Sequence, residues 1–214
     1  MTLLRREPRL VTLEGGEGAG KTTVLAALRE ALQATGAEVV CTREPGGTPL
    51  AERIRALLLD IDAEPATARA ELLLMFAARA QHVERLVSPA LARGAWVLSD
   101  RFTDSSHAYQ GGGRGLPSAD IALLERHFVG IDPGLTLLLD LDVAAGRERA
   151  GSRDAPPDRM EREQDAFHRR VREAFRARAA ADPGRIVVLD ASLPAEVVAA
   201  QAVAALHRHR ARAS

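Results

Sequence analysis

LVTLEGGEGAGKTT, residues 10–23, carries the most specific structural signal in the chain. Residues 10–14 are mostly apolar and suit a buried strand, and residues 15–22 match the pattern G-x-x-x-x-G-K-[ST]. Glycines at these positions let consecutive backbone N–H groups converge on phosphate oxygens. The positive end of the following helix points at the same place. The stretch therefore predicts a phosphate-binding loop between a strand and a helix.

Lys21 is the residue of this loop that carries most of its chemistry. It is the only lysine among 29 basic residues, the others being arginine. A narrow loop favours a compact ammonium over a planar guanidinium, so its position supports the interpretation. Lys21 would contact the β- and γ-phosphates of a bound nucleotide, and Thr22 would offer a hydroxyl to Mg²⁺. The residues expected to bind that nucleotide are Gly15, Gly16, Glu17, Gly18, Ala19, Gly20, Lys21, Thr22 and Thr23.

Short apolar runs alternate with long helical patterns along the rest of the chain. The predicted strands are 10–14, 38–42, 95–99, 136–141 and 185–189. The predicted helices are 22–35, 48–60, 66–92, 118–129, 143–150, 159–181 and 194–209. This alternation predicts a single α/β domain over residues 1–214, with a five-stranded parallel sheet flanked by helices. The glycine- and proline-rich stretches 111–117 and 151–157 are predicted to be loops.

Composition excludes several classes of protein. The chain has 214 residues, is 46% hydrophobic and has a formal net charge of zero. A neutral chain is not expected to bind nucleic acid or anionic lipid broadly. No apolar run approaches the roughly 18–20 residues that span a bilayer, and we see no secretory signal. The single cysteine, Cys41, allows no internal disulfide. We therefore expect a cytoplasmic protein.

A second anion site is predicted after the third strand, at Ser99-Asp100-Arg101. Ligands of parallel sheets lie at the carboxyl ends of the strands. Asp100 could hold Mg²⁺, and Arg101 could grip a phosphate bidentately. Asp140 and Asp142, after the fourth strand, compete for the metal role, although Asp142 also suits a helix N-cap.

The loop alone leaves a phosphotransferase, a GTPase switch and an ATP-driven motor open. A GTPase would need an Asn-Lys-x-Asp loop, which the single lysine rules out. A motor would usually be larger or more basic. A nucleotide-binding regulatory protein without turnover is a further alternative, and it would release no ADP in response to an acceptor.

Further motifs give the chain a family resemblance. They are TREPGGT (42–48), AAR (77–79), DR (100–101) and AYQGGGRG (108–115), in addition to the phosphate loop. In order and spacing they resemble bacterial thymidylate kinase, within the P-loop nucleoside monophosphate kinases. The resemblance implies transfer of a phosphoryl group from ATP to dTMP with Mg²⁺, in the supply of dTTP precursors for DNA. It also implies a homodimer. A related kinase acting on another acceptor is the main alternative.

The resemblance also implies roles for individual residues, and it implies that the nucleotide held by Lys21 and the phosphate loop (residues 15–23) is ATP. Arg101 would bind the 5′-phosphate of dTMP, and Arg79 would donate to a thymine carbonyl. Glu17 would face the deoxyribose, and Tyr109 would stand against a ribose 2′-hydroxyl. The other expected contacts are Ser106 and Gln110 near the base, and Glu44 and Arg55 at the border of the acceptor pocket.

Two features depart from the common family pattern. Met75 stands where an aromatic ring usually covers thymine, and the ring, Phe76, comes one place later. Either Met75 covers the base through its sulfur and methyl group, or the helix is shifted locally. The lid, which maps to residues 147–159, is also slightly longer than in common versions of the family.

The phosphate loop holds no arginine, and the resemblance implies that such forms carry the catalytic arginine in this mobile lid. Among Arg147, Arg149, Arg153 and Arg159, we expect Arg153 to be catalytic because it lies within the stretch 151–157.

Overall fold

The five apolar runs form one parallel sheet. The computed structural model describes residues 4–151 and 158–213. Its strands are β1 (Arg5–Gly15), β2 (Val39–Arg43), β3 (Trp96–Asp100), β4 (Ile131–Asp140) and β5 (Ile186–Asp190). They lie in the order β2-β3-β1-β4-β5, and every pairing is parallel. The predicted five-stranded parallel sheet is therefore confirmed.

Helices cover both faces of this sheet. They are α1 (Lys21–Gln33), α2 (Pro49–Leu59), α3 (Ala68–His82), α4 (Ser88–Ala92), α5 (Thr103–Ser106), α6 (Ser118–Leu124), α7 (Val143–Gly151), α8 (Asp165–Ala181) and α9 (Ala195–Ala213). Three π-helical segments, Val83–Val87, His107–Gly113 and Glu125–Val129, continue α3, α5 and α6. The predicted helix over 66–92 is thus one continuous helical segment from Ala68 to Ala92 that includes a π-helical turn.

Side chains alternate between the two faces of β1, as the period of a strand requires. Val11 and Leu13 pack in a core with α1 and α9, whereas Leu10 packs in a second core with α3. A third core lies under α8. Because both faces are covered, β3, β4 and the second half of β1 are mostly apolar and buried.

The register of the sheet brings three strand ends together. Leu13 of β1 pairs with Asp100 of β3, and Gly15 pairs with Leu139 of β4. The phosphate loop that leaves β1 therefore lies beside the chain that leaves β3.

The structure corrects the start of the predicted helix 159–181, which begins at Asp165. Asp158 Oδ1 accepts hydrogen bonds from the backbone N–H groups of Met160 (2.8 Å) and Glu161 (2.9 Å). Such a side chain offers the backbone an alternative to helical bonding. Met160 therefore precedes the helix instead of lying on its apolar face.

The predicted loop 111–117 is wrong for its first three residues, which belong to the π-helical segment His107–Gly113. Glycine is required there by close packing on α8. A Cβ on Gly112 would approach the Ala174 methyl to 2.6 Å, and one on Gly113 would collide with the Phe167 ring. Of the other predicted loop, Gly151 ends α7 and residues 152–157 lie outside the described part.

Within residues 4–151 and 158–213, no helix has both the length and the apolar character that crossing a membrane demands.

Candidate active site

A cavity of about 570 Å³ opens at the carboxyl ends of β1, β2 and β3. Most of the residues predicted for ATP, dTMP and metal line it together. They are Glu17, Gly18, Ala19, Gly20, Lys21, Thr22, Glu44, Arg55, Met75, Arg79, Asp100, Arg101, Ser106, Tyr109 and Gln110. The cavity is therefore the candidate active site.

Three residues predicted to bind ATP lie outside this lining. Gly15 and Gly16 border a second cavity of about 520 Å³, between the end of β4, α7 and α8. Thr23 is exposed on the first turn of α1. Gly15 and Gly16 still offer their carbonyl oxygens to Lys21 Nζ, at 3.4 and 3.0 Å.

The phosphate loop owes its shape to glycine. Gly18 and Gly20 have φ angles of 72° and 87°, which side-chain-bearing residues rarely adopt. A Cβ on Gly18 would also collide with the carbonyl oxygen of Gly146 on α7. The loop is therefore pressed against α7, and α1 begins directly after it at Lys21.

Lys21 is buried, with 9% of its surface exposed. Burial, together with repulsion from Arg101, lowers its pKa to about 8. The nearby carboxylates of Asp100 and Glu17 oppose this change. A phosphate bound at the loop would add negative charge and so favour the ammonium form.

Arg101 occupies a sharp turn at the end of β3. Its φ angle is 71°, and it is the one non-glycine residue with positive φ in the described chain. Its N–H donates to Leu13 O (2.9 Å), and its carbonyl oxygen accepts from Ser99 Oγ (2.7 Å). Its guanidinium lies over the Tyr109 ring, 5.0 Å from the centroid. An unfavourable backbone conformation held by such contacts is typical of functional sites.

Glu14 stabilises this turn, a role that sequence reasoning missed. Its carboxylate is fully buried and accepts from the N–H of Phe102 (2.8 Å) and from Ser105 Oγ (2.6 Å). Burial, followed by repulsion from Asp104, raises its pKa to about 7. The available signal was a glutamate at the end of an otherwise apolar strand.

Asp100 has the chemistry of a Mg²⁺ ligand. Its Oδ1 is buried and accepts no hydrogen bond from the described residues. Thr22 also lines the cavity. Mg²⁺ usually takes one or two protein oxygens and completes its shell with phosphates and water. This fits the finding that the described residues contain no group of three or more His, Cys, Asp or Glu able to hold a metal.

The competing carboxylates at the end of β4 are engaged elsewhere. Arg172 donates to both oxygens of Asp140 (2.8 and 3.2 Å) and to Asp142 (2.9 Å). Asp142 Oδ1 also accepts from the N–H of Ala144 at the start of α7, as an N-terminal cap does. These bonds favour Asp100 for the metal role.

Arg79 is held in place by three protein acceptors. Its Nε donates to Glu44 (2.6 Å), Nη1 to Ser106 (2.9 Å) and Nη2 to the carbonyl of Phe102 (3.0 Å). Glu44 is in turn bonded to His82 Nδ1 (2.9 Å). A guanidinium has five N–H donors, so this arrangement fixes Arg79 and leaves two donors for a ligand.

Met75 and Phe76 lie in different environments. Met75 lines the cavity, whereas Phe76 is 3% exposed and packs in the core. The Phe76 ring lies 4.8 Å from the Arg79 guanidinium and supports it from behind the cavity wall. Arg55, also in the lining, donates to the Pro45 carbonyl (3.1 Å).

The arginines of the predicted lid differ in their contacts. Arg147 pairs with Asp165 (2.8 Å), and Arg159 pairs with the buried Glu71 (2.7 Å). Arg149 lines the cavity and donates to the carbonyl of Ala191 (2.8 Å). Arg153 lies outside the described residues.

Several lining residues have no motif that could have revealed them. They come mainly from the chain before α8 and from α8 itself, and include Ser105, Asp158, Met160, Glu161 and His168. Ser105 lies on α5, and the packing of α8 against His107–Gly113 places the other four at the cavity.

Comparisons with known proteins agree with this geometry. The family description "Thymidylate kinase" matches residues 13–202. A thymidylate kinase of Chromohalobacter salexigens is 56% identical over 200 residues, covering 92% of this chain and 94% of that protein. One of Pseudomonas fluorescens is 58% identical, covering 86% and 88%. The crystal structure of thymidylate kinase from Ehrlichia chaffeensis has a TM-score of 0.77 at 30% identity, covering 94% of this chain and 99% of that one.

Proposed function

Because this chain belongs to the thymidylate kinase family and phosphorylates dTMP with ATP as donor, we propose that its 570 Å³ cavity holds both nucleotides. One observation carries this assignment: the phosphate loop, Asp100–Arg101 and the Arg79 cluster all line the same cavity. Two polyanions bound there would face each other across the end of the sheet.

ATP would bind with its phosphates in the loop of residues 15–23. Backbone N–H groups and the start of α1 favour anions there. Lys21 would neutralise the β- and γ-phosphates. Thr22 and Asp100 would hold Mg²⁺, and Mg²⁺ would supply positive charge to the phosphate oxygens.

The acceptor, dTMP, would occupy the remainder of the cavity. Arg101 would take the 5′-phosphate, and the two unused donors of Arg79 would reach a thymine carbonyl. Ser106 and Gln110 would lie near the base, covered by Met75. Glu17 and Tyr109 would face the sugar, and Glu44 and Arg55 would border the pocket; all four line the cavity.

The protein contributes position and charge to the reaction instead of covalent chemistry. An oxygen of the dTMP phosphate bonds to the γ-phosphorus, and the bond from that phosphorus to the ADP leaving oxygen breaks. Lys21 and Arg101 would stabilise the charge on the two sides of the moving group. We propose that an arginine of the lid (residues 147–159) supplies the remaining charge. Arg153 is our first choice because it lies in the glycine- and proline-rich stretch 151–157, and Arg149, which lines the cavity, is the alternative.

The assignment of Arg101 is tested by Arg101→Ala. Loss of a bidentate phosphate contact should weaken dTMP binding by about 2–4 kcal/mol, roughly 30- to 1000-fold. ATP binding should change much less. Calorimetric titration of each nucleotide measures both, and Arg93→Ala, a surface arginine paired with Glu38, is the control. Equal losses for the two nucleotides would contradict the division of the cavity.

ADP release measured with dTMP, dUMP, AMP, GMP and CMP would define the acceptor range. We expect dTMP to be preferred, with slow ADP release when no acceptor is present. Comparable rates with all five would contradict the role of Arg79 and Gln110.

We also propose that the chain acts as one domain in the cytoplasm.

We propose further that the chain forms a homodimer, which would cover large apolar side chains that are exposed in the single chain. Leu57 of α2, Leu73 of α3 and Phe128 are 57%, 59% and 61% exposed. Light scattering should give twice the chain mass, and Leu73→Asp should lower it. A monomer at micromolar concentration would refute the dimer.

A further inference from the structure

Glu71 is a fully buried carboxylate that does not line the cavity, yet three elements converge on it. It lies on α3, one turn before Met75 and two turns before Arg79. Its Oε1 accepts from Gln110 Nε2 (2.8 Å) and from Arg114 Nε (3.3 Å). Its Oε2 accepts from Arg114 Nη2 (3.1 Å) and Arg159 Nη2 (2.7 Å).

The two arginines keep this carboxylate ionised. Burial alone would raise its pKa, but the hydrogen bonds from Arg114, Gln110 and Arg159 hold it below the ordinary value. Arg114 is itself fixed by Glu163 and by the Phe167 ring, 4.7 Å away. Glu71 therefore accepts hydrogen bonds and cannot donate one near neutral pH.

An acceptor at this position decides which way the Gln110 amide points. The amide has a donating NH₂ end and an accepting oxygen. Only the NH₂ end satisfies Glu71, so the oxygen must point elsewhere. Gln110 is 1% exposed and borders the cavity, so reversal would leave its oxygen against a buried carboxylate.

We propose that Glu71 is a positioning residue for base selection, orienting Gln110 so that the acceptor site presents an amide oxygen to the base. This rests on the proposed placement of the base beside Gln110 and Arg79. Thymine offers an N3–H donor and an O4 acceptor, which match an amide oxygen and a guanidinium. Cytosine instead offers an N3 acceptor and an N4 amino donor. Its acceptor would face the amide oxygen, and its donor would face the guanidinium, so neither pair could form a hydrogen bond.

The physical scale of this selection is large. A site built to hydrogen-bond a donor rejects an analogue that lacks it far more strongly than an apolar pocket rejects a methyl group. If the amide could reverse, its NH₂ end would accommodate the N3 of cytosine and remove one of two mismatches. Selection by Arg79 would remain.

Glu71→Gln tests the proposal, because glutamine can donate or accept and so permits both orientations of Gln110. We expect the ratio of kcat/KM for dTMP over dCMP to fall at least tenfold, while the KM for ATP stays within about twofold. Glu71→Asp keeps an acceptor-only group and should retain most of the selectivity. Glu163→Gln, which removes another carboxylate from Arg114, is the matched control and should leave the ratio unchanged.

A folded Glu71→Gln enzyme with an unchanged ratio would overturn the proposal, as would equal loss in Glu163→Gln. If Glu71→Gln does not fold, Glu71→Asp becomes the test. The proposal would be overturned if the dTMP/dCMP ratio of Glu71→Asp fell as low as that of Gln110→Leu. Gln110→Leu separates this inference from the site assignment. If Gln110→Leu leaves the ratio unchanged, the base does not lie beside Gln110. If Gln110→Leu lowers the ratio and Glu71→Gln does not, only the role of Glu71 fails.

Discussion

Glu14→Gln should make the protein more stable at alkaline pH and leave it unchanged at acidic pH. In the folded protein, burial and Asp104 raise the pKa of Glu14 from its ordinary value of 4.5 to about 7. A carboxyl whose folded pKa lies above its unfolded pKa favours the folded state when protonated. That contribution is fully present below pH 4.5 and is lost as the pH rises through 7.

The magnitude follows from the two pKa values. Each unit between them corresponds to about 1.4 kcal/mol, so ionising Glu14 costs the folded state about 3 kcal/mol above pH 7. Glutamine carries no titrating group and can bond to the same two partners. Its oxygen accepts from the Phe102 N–H, as in the wild type, whereas its NH₂ donates to Ser105 Oγ, which donates to the wild-type carboxylate.

Urea denaturation of both proteins at pH values from 5 to 8 measures this difference. The free energy of unfolding of Glu14→Gln minus that of the wild type should grow with pH and level off above pH 7. Glu71→Gln is the control. Hydrogen bonds hold the pKa of Glu71 below its ordinary value, so its ionised form persists throughout this range and the difference should not vary with pH. A difference for Glu14→Gln that stays constant with pH would show that Glu14 does not titrate near pH 7 in the folded protein.

Three further predictions concern the loop, the lid and the core. Lys21→Met should fold, by circular dichroism, but lose roughly 10²–10³-fold in kcat, because a preorganised charge is missing; activity within threefold of wild type would contradict the loop assignment. Arg153→Ala should lower kcat with little change in the Kd of dTMP, as expected for a contact made mainly in the transition state. An unchanged kcat would indicate that Arg153 takes no part in catalysis. Arg185→Met should lower the free energy of unfolding, measured by urea denaturation, by about 3–5 kcal/mol. The side chain of Arg185 is 2% exposed and donates to the buried carboxylate of Asp104 at 2.6 and 3.0 Å. A loss below about 1 kcal/mol would show that other donors satisfy Asp104.

Local signals predicted the elements well and their ends less well. The apolar run 10–14 is the buried half of β1, which extends from Arg5 to Gly15. The helix pattern from 159 was misleading because the residues before Asp165 form turns bonded to the Asp158 side chain. The glycines at 111–113 resemble a loop in sequence, but they permit a π-helical segment to pack closely on α8.

The phosphate loop and the succession of strands and helices along the chain could be predicted from the sequence alone, because these features depend on residues that are close together in the chain. Glycines, one lysine and apolar periodicity act within a few residues of each other. Parallel strands deliver their carboxyl ends to one edge, which placed Asp100 and Arg101 beside the loop. The family resemblance supplied the other predicted residues of the cavity lining, such as Arg79 and Gln110.

The buried partners that hold those residues in place depend on how the elements pack in three dimensions. Glu14 meets Phe102 and Ser105 across 88 and 91 positions, and Glu71 meets Gln110 across 39. Such pairs exist because β1 lies between β3 and β4 and because α3 packs beside the segment after β3. A carboxylate buried by folding must find donors wherever the packing supplies them, and linear sequence carries no local trace of that match.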